Sequence, residues 1–479
     1  MTYVGATPTT GDFKKLDSIT TSSATTFNLR QGGVAVYPQS ANHCIVSLNG
    51  VIQAPIDAFT IVNDTIVFAS SLASSDVINF ILVLGNVNDI GTPSDDTVST
   101  AKIQANAVTS AKIASGVIPS LRPNAKPLII NGNMAVAQRG TSFSHADSNN
   151  DAYPVDRFSF VLGSIGAYTS TQETLSSGAA YDAGFRKAAR IDCTTAQSSP
   201  AAGDYFWFQY KMEAQDCLLF KKGTSSAEKM TVAFWVKSNK TGTSQLTVKD
   251  GDNDRICAGT YAISSADTWE HKVINIAADT TGAFNNDNGA GFIFEWWLGA
   301  GSTYSSGAAP TAWEARADGD RGVSNLSIND NTANDWAITG IQVEVGEYTS
   351  STLPPFQHES YGDNFMRCAR YYYKIAGASG TNQTLGIGYY KADDQWRMTS
   401  YLPCQPRTAP TLDYVSGTDY YVNDMAGLND SFNSWARTRA STSTAQVTHN
   451  ASESSGTMGK AGETITYNAN AYFAWTMEL

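Results

Sequence analysis

The chain has 479 residues with 32 Lys plus Arg against 44 Asp plus Glu, a formal charge of −12, and only 16% charged residues, well below the roughly 25% of an average soluble protein. No basic run supplies the clustered cations that neutralise phosphates, which excludes a nucleic-acid binder. At about 150 residues per domain the length allows about three domains, and Ser, Thr, Asn, Gln and Gly beside 10 Trp, 22 Tyr and 20 Phe favour strands and turns over helices.

The opening Met1-Thr-Tyr-Val-Gly-Ala-Thr-Pro has no basic start, apolar stretch or cleavage site, so no secretion is expected. No apolar run reaches the 18 to 20 or so residues that cross a bilayer, so no membrane insertion is expected either. Residues 1–85 read as an extended N-terminal peptide followed by a small β domain. Its clearest strands are Ile45-Val-Ser-Leu, Phe59-Thr-Ile-Val, Thr65-Ile-Val-Phe and Ile78-Asn-Phe-Ile-Leu-Val-Leu. Asn49-Gly50 marks a hairpin, because both turn positions of a type I′ turn need a left-handed backbone.

Residues 86–127 have a different texture. Val98-Ser-Thr-Ala-Lys-Ile recurs ten residues later as Val108-Thr-Ser-Ala-Lys-Ile, a unit with too few apolar positions to form a core alone. It is either a plain linker or, the preferred reading, the intertwined neck of a symmetric homotrimer. Residues 128–358 alternate as sandwich strands do: Val232, Phe234 and Val236 against Ala233, Trp235 and Lys237, then Phe292, Phe294 and Trp296 on one face with the other face half exposed. Trp336-Ala-Ile-Thr-Gly-Ile-Gln-Val-Glu-Val-Gly reads as the closing strand. Pro354-Pro355 marks a boundary, Ser360 with Asp363 predicts the cap of a short helix through about Cys368, and residues 359–479 form a last β domain. The fold class is therefore all-β.

Reactive chemistry is scarce. The six cysteines (Cys44, Cys193, Cys217, Cys257, Cys368, Cys404) contain no C-x-x-C and read as small buried apolar residues. The five histidines are isolated, and no nucleophile elbow, dinucleotide fingerprint or P-loop occurs. Asp250-Gly-Asp-Asn-Asp254 starts like a calcium loop, but Arg255 and Tyr261 stand where an EF-hand needs Gly and Glu. A polar hairpin turn is the better account. No catalytic residue, metal or cofactor is expected. Aromatics beside uncharged hydrogen-bonding groups instead match what a sugar needs, stacking on its C–H faces and bonding to its hydroxyls. Most aromatics belong in cores; the candidates for exposed carbohydrate contacts in the last domain are Tyr389, Tyr390, Trp396, Tyr420, Tyr421 and Trp435.

Five motifs in fixed order carry a resemblance: Leu128-Ile-Ile-Asn-Gly-Asn-Met-Ala-Val-Ala-Gln-Arg-Gly-Thr, Tyr153-Pro-Val-Asp-Arg-Phe, Phe234-Trp-Val-Lys-Ser-Asn-Lys-Thr-Gly, Ile338-Thr-Gly-Ile-Gln-Val-Glu-Val-Gly, and Pro354-Pro-Phe-Gln-His-Glu-Ser-Tyr-Gly running into Cys368-Ala-Arg-Tyr-Tyr-Tyr-Lys. They resemble the distal module of bacteriophage tail fibres. The first 85 residues are similar in style to N-terminal attachment domains of fibres from marine phages and cyanophages, in the opening peptide and the Leu48-Asn-Gly hairpin. The resemblance implies a homotrimeric virion fibre, assembled in the host cytoplasm and held to tail adaptor or nozzle proteins by its N-terminal domain. A carbohydrate-binding-like jelly roll and a C-terminal tip would recognise a host surface polysaccharide or another receptor. Calcium-binding jelly rolls often carry an Asp in the last strand, where this chain has Ile338-Thr-Gly-Ile, so no structural calcium is expected. A fibre-borne glycanase or esterase and a purely structural tail component are the competing readings.

Overall fold

The computed structural model describes residues 13–84, 126–146, 152–376, 382–441, 444–449, 453 and 455–479. The ten-residue repeat and the first twelve residues of the N-terminal peptide lie outside them. The chain divides into two compact units, Met1–Ile113 and Ala114–Leu479.

In the first unit, a four-stranded sheet runs in the order Lys14–Lys15, Ile78–Val83, Cys44–Leu48, Val51–Ile52, beside a three-stranded sheet Thr26–Asn28, Thr65–Phe68, Phe59–Val62. The four sequence-predicted strands are all present. Asn49 (φ 51°) and Gly50 (φ 79°) both take the left-handed turn conformation that the dipeptide predicts. The core joins Leu29, Val46, Phe59, Ile66, Phe68 and Ile81.

The second unit opens as a jelly-roll sandwich of antiparallel strands. One sheet has six strands, in the order Ser142–Ala146, Ala167–Thr174, Lys187–Thr195, Asp335–Val345, Met230–Lys237, Glu270–Ile276. The other has seven, Ala152–Val155, Phe158–Gly163, Tyr205–Glu213, Ala290–Ala300, Gly242–Asp250, Arg255–Ile263, Glu314–Ala315. Val232, Phe234 and Val236 are buried against Phe294 and Trp296 of the facing sheet, as the alternation predicts, while Trp235 and Lys237 are half-buried outside. The strand that closes the sandwich in sequence lies in the middle of its sheet, paired with Lys187–Thr195 on one side and Met230–Lys237 on the other. Gly340 of that strand is left-handed (φ 62°), and a Cβ there would sit 2.6 Å from the Phe185 ring. Residues 250–254 form the predicted polar turn: Asp250 ends one strand, Arg255 starts the next, and the Asp250 carboxylate accepts from the backbone N–H groups of Asp252 (2.9 Å) and Asn253 (3.1 Å).

Helix Tyr361–Ala369 follows, capped as predicted: Ser360 Oγ accepts from the Asp363 N–H at 3.1 Å and donates to the Asp363 carboxylate at 2.6 Å. Beyond it a three-stranded sheet, Tyr372–Ala376, Phe473–Thr476, Thr411–Tyr414, packs on a seven-stranded one. The larger sheet runs Leu428–Phe432, Tyr421–Met425, Ala461–Thr466, Thr384–Ala392, Gln395–Tyr401, Thr444–His449, Trp435–Ala440. Trp396, Met398, Tyr421, Phe432, Trp435, Phe473 and Trp475 fill the space between the two.

A polar seam locks this C-terminal part to the sandwich. Arg139 and Arg157 both reach the Glu478 carboxylate (3.2 and 2.6 Å), and their guanidinium groups stack on Tyr372 and Tyr371. Arg370 forms two 2.7 Å bonds to Glu213, Gln138 donates to the Tyr372 carbonyl at 2.7 Å, and Asn364 donates to Asn131 at 3.2 Å. Three of the motifs that carry the fibre resemblance meet at this seam, so those stretches are explained by packing. All six cysteines are free thiols; five are buried as expected, while Cys404 is half-buried at the edge of the seam.

Candidate functional site

The outer faces of the two seven-stranded sheets of the second unit differ in what covers them. On the outer face of the sandwich's seven-stranded sheet, cross-strand pairing sets Trp207 beside Trp297 and Gln209 beside Glu295, with Thr247 next to Glu295. Half of this face was expected to be exposed. It is instead roofed by residues 301–322. Arg321 lies 5.0 Å from the Trp207 ring centre and 5.3 Å from that of Trp297, and bonds Glu295 through both Nη2 (2.7 Å) and Nε (3.2 Å). The Arg321 carbonyl accepts from Gln245 and Thr247, and the Gly322 N–H donates to the Tyr304 carbonyl. Trp207, Trp297, Glu295 and Arg321 are all buried. Burial opposes the charge on Arg321, but Glu295 and Asp318 outweigh it and hold the guanidinium above its ordinary pKa. The aromatic box is thus filled by the chain's own cation.

The outer face of the C-terminal seven-stranded sheet is open. Its register aligns one residue from every strand in a single row: Asn429, Asp424, Glu463, Ile387, Thr399, Gln446, Arg439. Because side chains alternate along a strand, Tyr389, Tyr401 and Tyr467 share that face. They are 46%, 76% and 56% exposed, and Ile387 is 75% exposed. At one end of the row the face hollows into a cleft of about 390 Å³, lined by Asn382, Thr384, Asp424, Asn429, Glu463 and Tyr467, with Val422, Ile465 and Ser431 completing it. Thr384 Oγ1 donates to Glu463 Oε2 at 2.8 Å. The Asn429 amide, turned so that both its atoms are satisfied, donates to Asp424 at 3.0 Å. Tyr467 is held by its backbone N–H, which donates to the Tyr420 carbonyl at 2.8 Å. Carboxylates, amides and hydroxyls around an exposed phenol ring, above an apolar pair of Val and Ile, form a surface that can stack on one face of a sugar and bond its hydroxyl edge.

The sequence-predicted aromatics divide sharply. Tyr389 lies on the open face. Tyr390, its neighbour, necessarily points the other way: it is buried, and its hydroxyl meets the Asp430 carboxylate. Trp396 is also core, with its indole N–H donating to Thr464 Oγ1 at 2.9 Å. Tyr421 donates to the carbonyls of Val415 (2.7 Å) and Tyr472 (2.6 Å), and Trp435 packs between Phe432 and Phe473. These four were expected to be exposed and are not, because each sits at an inward position of its strand. Tyr420 is half-buried and packs against the same core. Sequence reading missed Tyr401 and Tyr467, whose signal is alternation: Thr464 and Thr466 face inwards, so Glu463, Ile465 and Tyr467 face out.

Among the described residues, no cluster of three or more His, Cys, Asp or Glu side chains could hold a metal ion, and no helix is long and apolar enough to cross a membrane. No protein-family model matches the chain, and no curated protein matches it significantly. Solved structures similar to it include the enzymatically active domain of bacteriophage CBA120 tailspike protein 4, at 10% identity and a TM-score of 0.22 over 46% of this chain and 21% of the tailspike. The TmCBM61 structure with β-1,4-galactotriose matches at 12% identity and 0.21, over 46% of this chain and 99% of that one. A family 11 carbohydrate-binding module from Clostridium thermocellum matches at 7% and 0.21, over 43% and 96%. The chain therefore spans about a fifth of the tailspike's length, and likenesses of this size transfer neither a fold nor a ligand.

Proposed function

We propose that the chain is a receptor-binding tail fibre protein of a bacteriophage that recognises host surface glycan through the open face of its C-terminal seven-stranded sheet. The observation that carries this reading is the contrast between the two outer faces. The sandwich face is filled by Arg321, whereas the C-terminal face presents Tyr467 beside a polar cleft of about 390 Å³, within the range of pockets that take small molecules.

The fibre-like order of motifs supports the virion role, and the first unit supports attachment. Its described surface exposes Val34, Tyr37, Val51, Ile52, Ile56, Val62, Val77 and Phe80, apolar side chains that a partner protein would cover. In this account the first unit binds a tail adaptor or nozzle protein, the chain is a homotrimer, and three identical tips multiply weak glycan contacts into avidity. The protein binds glycan without cleaving it.

The test is adsorption of the full-length protein to immobilised bacterial surface polysaccharides, with Tyr467→Ala as the comparison and reducing-end and acetate release measured in parallel. The reading predicts saturable binding that the substitution weakens, with no release. Binding that the substitution leaves unchanged removes the site, and release of sugar or acetate favours a glycanase or esterase. Light scattering on the purified protein checks the trimer, which a stable monomer at micromolar concentration would refute.

A further inference from the structure

We infer that the C-terminal cleft selects glycans without negative charge, neutral or amino sugars, and rejects uronic-acid, sulfated or phosphorylated ones. This inference rests on the glycan reading of that cleft. The walls of the cleft carry two carboxylates, Asp424 and Glu463, which the register places directly opposite each other on adjacent strands. Among the described residues, no Lys, Arg or His lines it. Directly opposed side chains sit roughly 4.5 to 5.5 Å apart at Cβ, so a third anion entering between them meets two like charges at close range.

A neutral sugar meets the opposite situation. Each carboxylate offers about four acceptor sites, of which Thr384 and Asn429 occupy one apiece in the bonds described above. Hydroxyl or ammonium hydrogens of a sugar find acceptors there, and the Asn382 amide can donate to its ring and hydroxyl oxygens, while the Asn429 amide, whose two N–H groups go to the Leu428 carbonyl and Asp424, offers its oxygen as a further acceptor. Two amide groups alone would distinguish poorly between a hydroxymethyl and a carboxylate at the sugar's edge; the carboxylate pair supplies the discrimination. The net charge of −12 adds a repulsive field of the same sign for any polyanion that approaches.

The test uses the full chain on a microarray that pairs acidic polysaccharides, such as polygalacturonate and alginate, with their carboxyl-reduced forms, beside neutral glucans, mannans and galactans and the amino polymer chitosan. The expected result is binding confined to neutral or amino polymers, with each acidic polymer at least tenfold weaker than its reduced partner wherever the partner binds. The double variant Asp424→Asn/Glu463→Gln, which keeps shape and hydrogen-bonding edges, should narrow that difference to less than threefold. Wild-type binding to an acidic polymer that equals or exceeds binding to its reduced form overturns the inference while leaving the glycan reading standing. A preference that survives unchanged in the double variant overturns the role of these two carboxylates. Failure to bind any polymer overturns the glycan reading and this inference together.

Discussion

The guanidinium carbon of Arg157 lies 3.4 Å from the centre of the Tyr371 ring, joining a strand-turn of the sandwich to the second residue beyond helix Tyr361–Ala369. The same guanidinium bonds Glu478 at 2.6 Å and the Lys211 carbonyl at 2.7 Å, and its side chain is almost wholly enclosed. A cation this deeply buried is held only because a carboxylate, a carbonyl and a ring face replace its water.

Replacing Arg157 by Ala therefore removes the cation from the Tyr371 ring and leaves Glu478 only its longer 3.2 Å pair with Arg139. Breaking a buried pair from one side costs about 3 to 5 kcal/mol. Urea unfolding of the full chain followed by tryptophan fluorescence should show a loss of that order, and limited proteolysis should cut more readily near residues 353–360. A loss below 1 kcal/mol would mean that the seam is incidental.

The seam should also fail in acid in a defined sense. Burial alone would raise the Glu213 pKa, but the paired bonds from Arg370 and the Tyr371 hydroxyl outweigh it and hold the carboxyl below its ordinary value. A folded-state pKa below the unfolded one contributes stability above the ordinary glutamate value of about 4.3 and loses it as pH falls through the depressed value. Asp156, raised by burial, acts in the opposite sense, so the clean observable is a difference. The stability gap between wild type and Glu213→Gln should be full at pH 6 and shrink as pH drops below about 4. A gap independent of pH contradicts the assignment.

Alanine at Trp396, Tyr421 or Trp435 should act on stability, at about 3 to 5 kcal/mol for a buried large aromatic, whereas Tyr389→Ala on the open face should stay within about 0.5 kcal/mol. Thermal melts of the four variants separate the two classes. A stable Trp396→Ala protein would contradict its core position.

Gly340 offers a test of the sandwich. A methyl group there meets the Phe185 ring at 2.6 Å on a left-handed backbone (φ 62°), and strain of this kind costs of order 1 to 3 kcal/mol before any clash. Gly340→Ala should lower the unfolding midpoint of the second unit without altering its glycan binding in the cold.

Much of the architecture is legible in the sequence because it follows from local rules. Asn49-Gly50 can only turn one way, Val232, Phe234 and Val236 can only face one side, and Ser360 with Asp363 can only cap a helix. What the sequence conceals is set at a distance. Phe292-Ile-Phe-Glu-Trp-Trp-Leu has the alternation of a strand with one dry face, yet Trp297 and Glu295 are buried too because residues 301–322 return to cover them, and nothing near position 297 announces that return. Tyr389 and Tyr390 show the same limit at the site: adjacent residues must point oppositely, but which one faces water depends on the side from which the Phe473–Thr476 sheet packs. Tyr467 follows the Thr464-Ile-Thr alternation, and reading that period through to the end of the strand would have found it.

The central claim is that the open C-terminal face, and not the roofed sandwich face, holds the glycan. Its most direct test is the dissociation constant of the full-length protein for a polysaccharide it binds, measured by biolayer interferometry for wild type, Tyr467→Ala and, on the roofed sandwich face, Tyr205→Ala, whose half-buried ring lies 4.8 Å from that of Trp207. The account predicts at least a tenfold weakening for Tyr467→Ala and less than twofold for Tyr205→Ala. The reverse pattern, with binding lost at Tyr205 and intact at Tyr467, would contradict it.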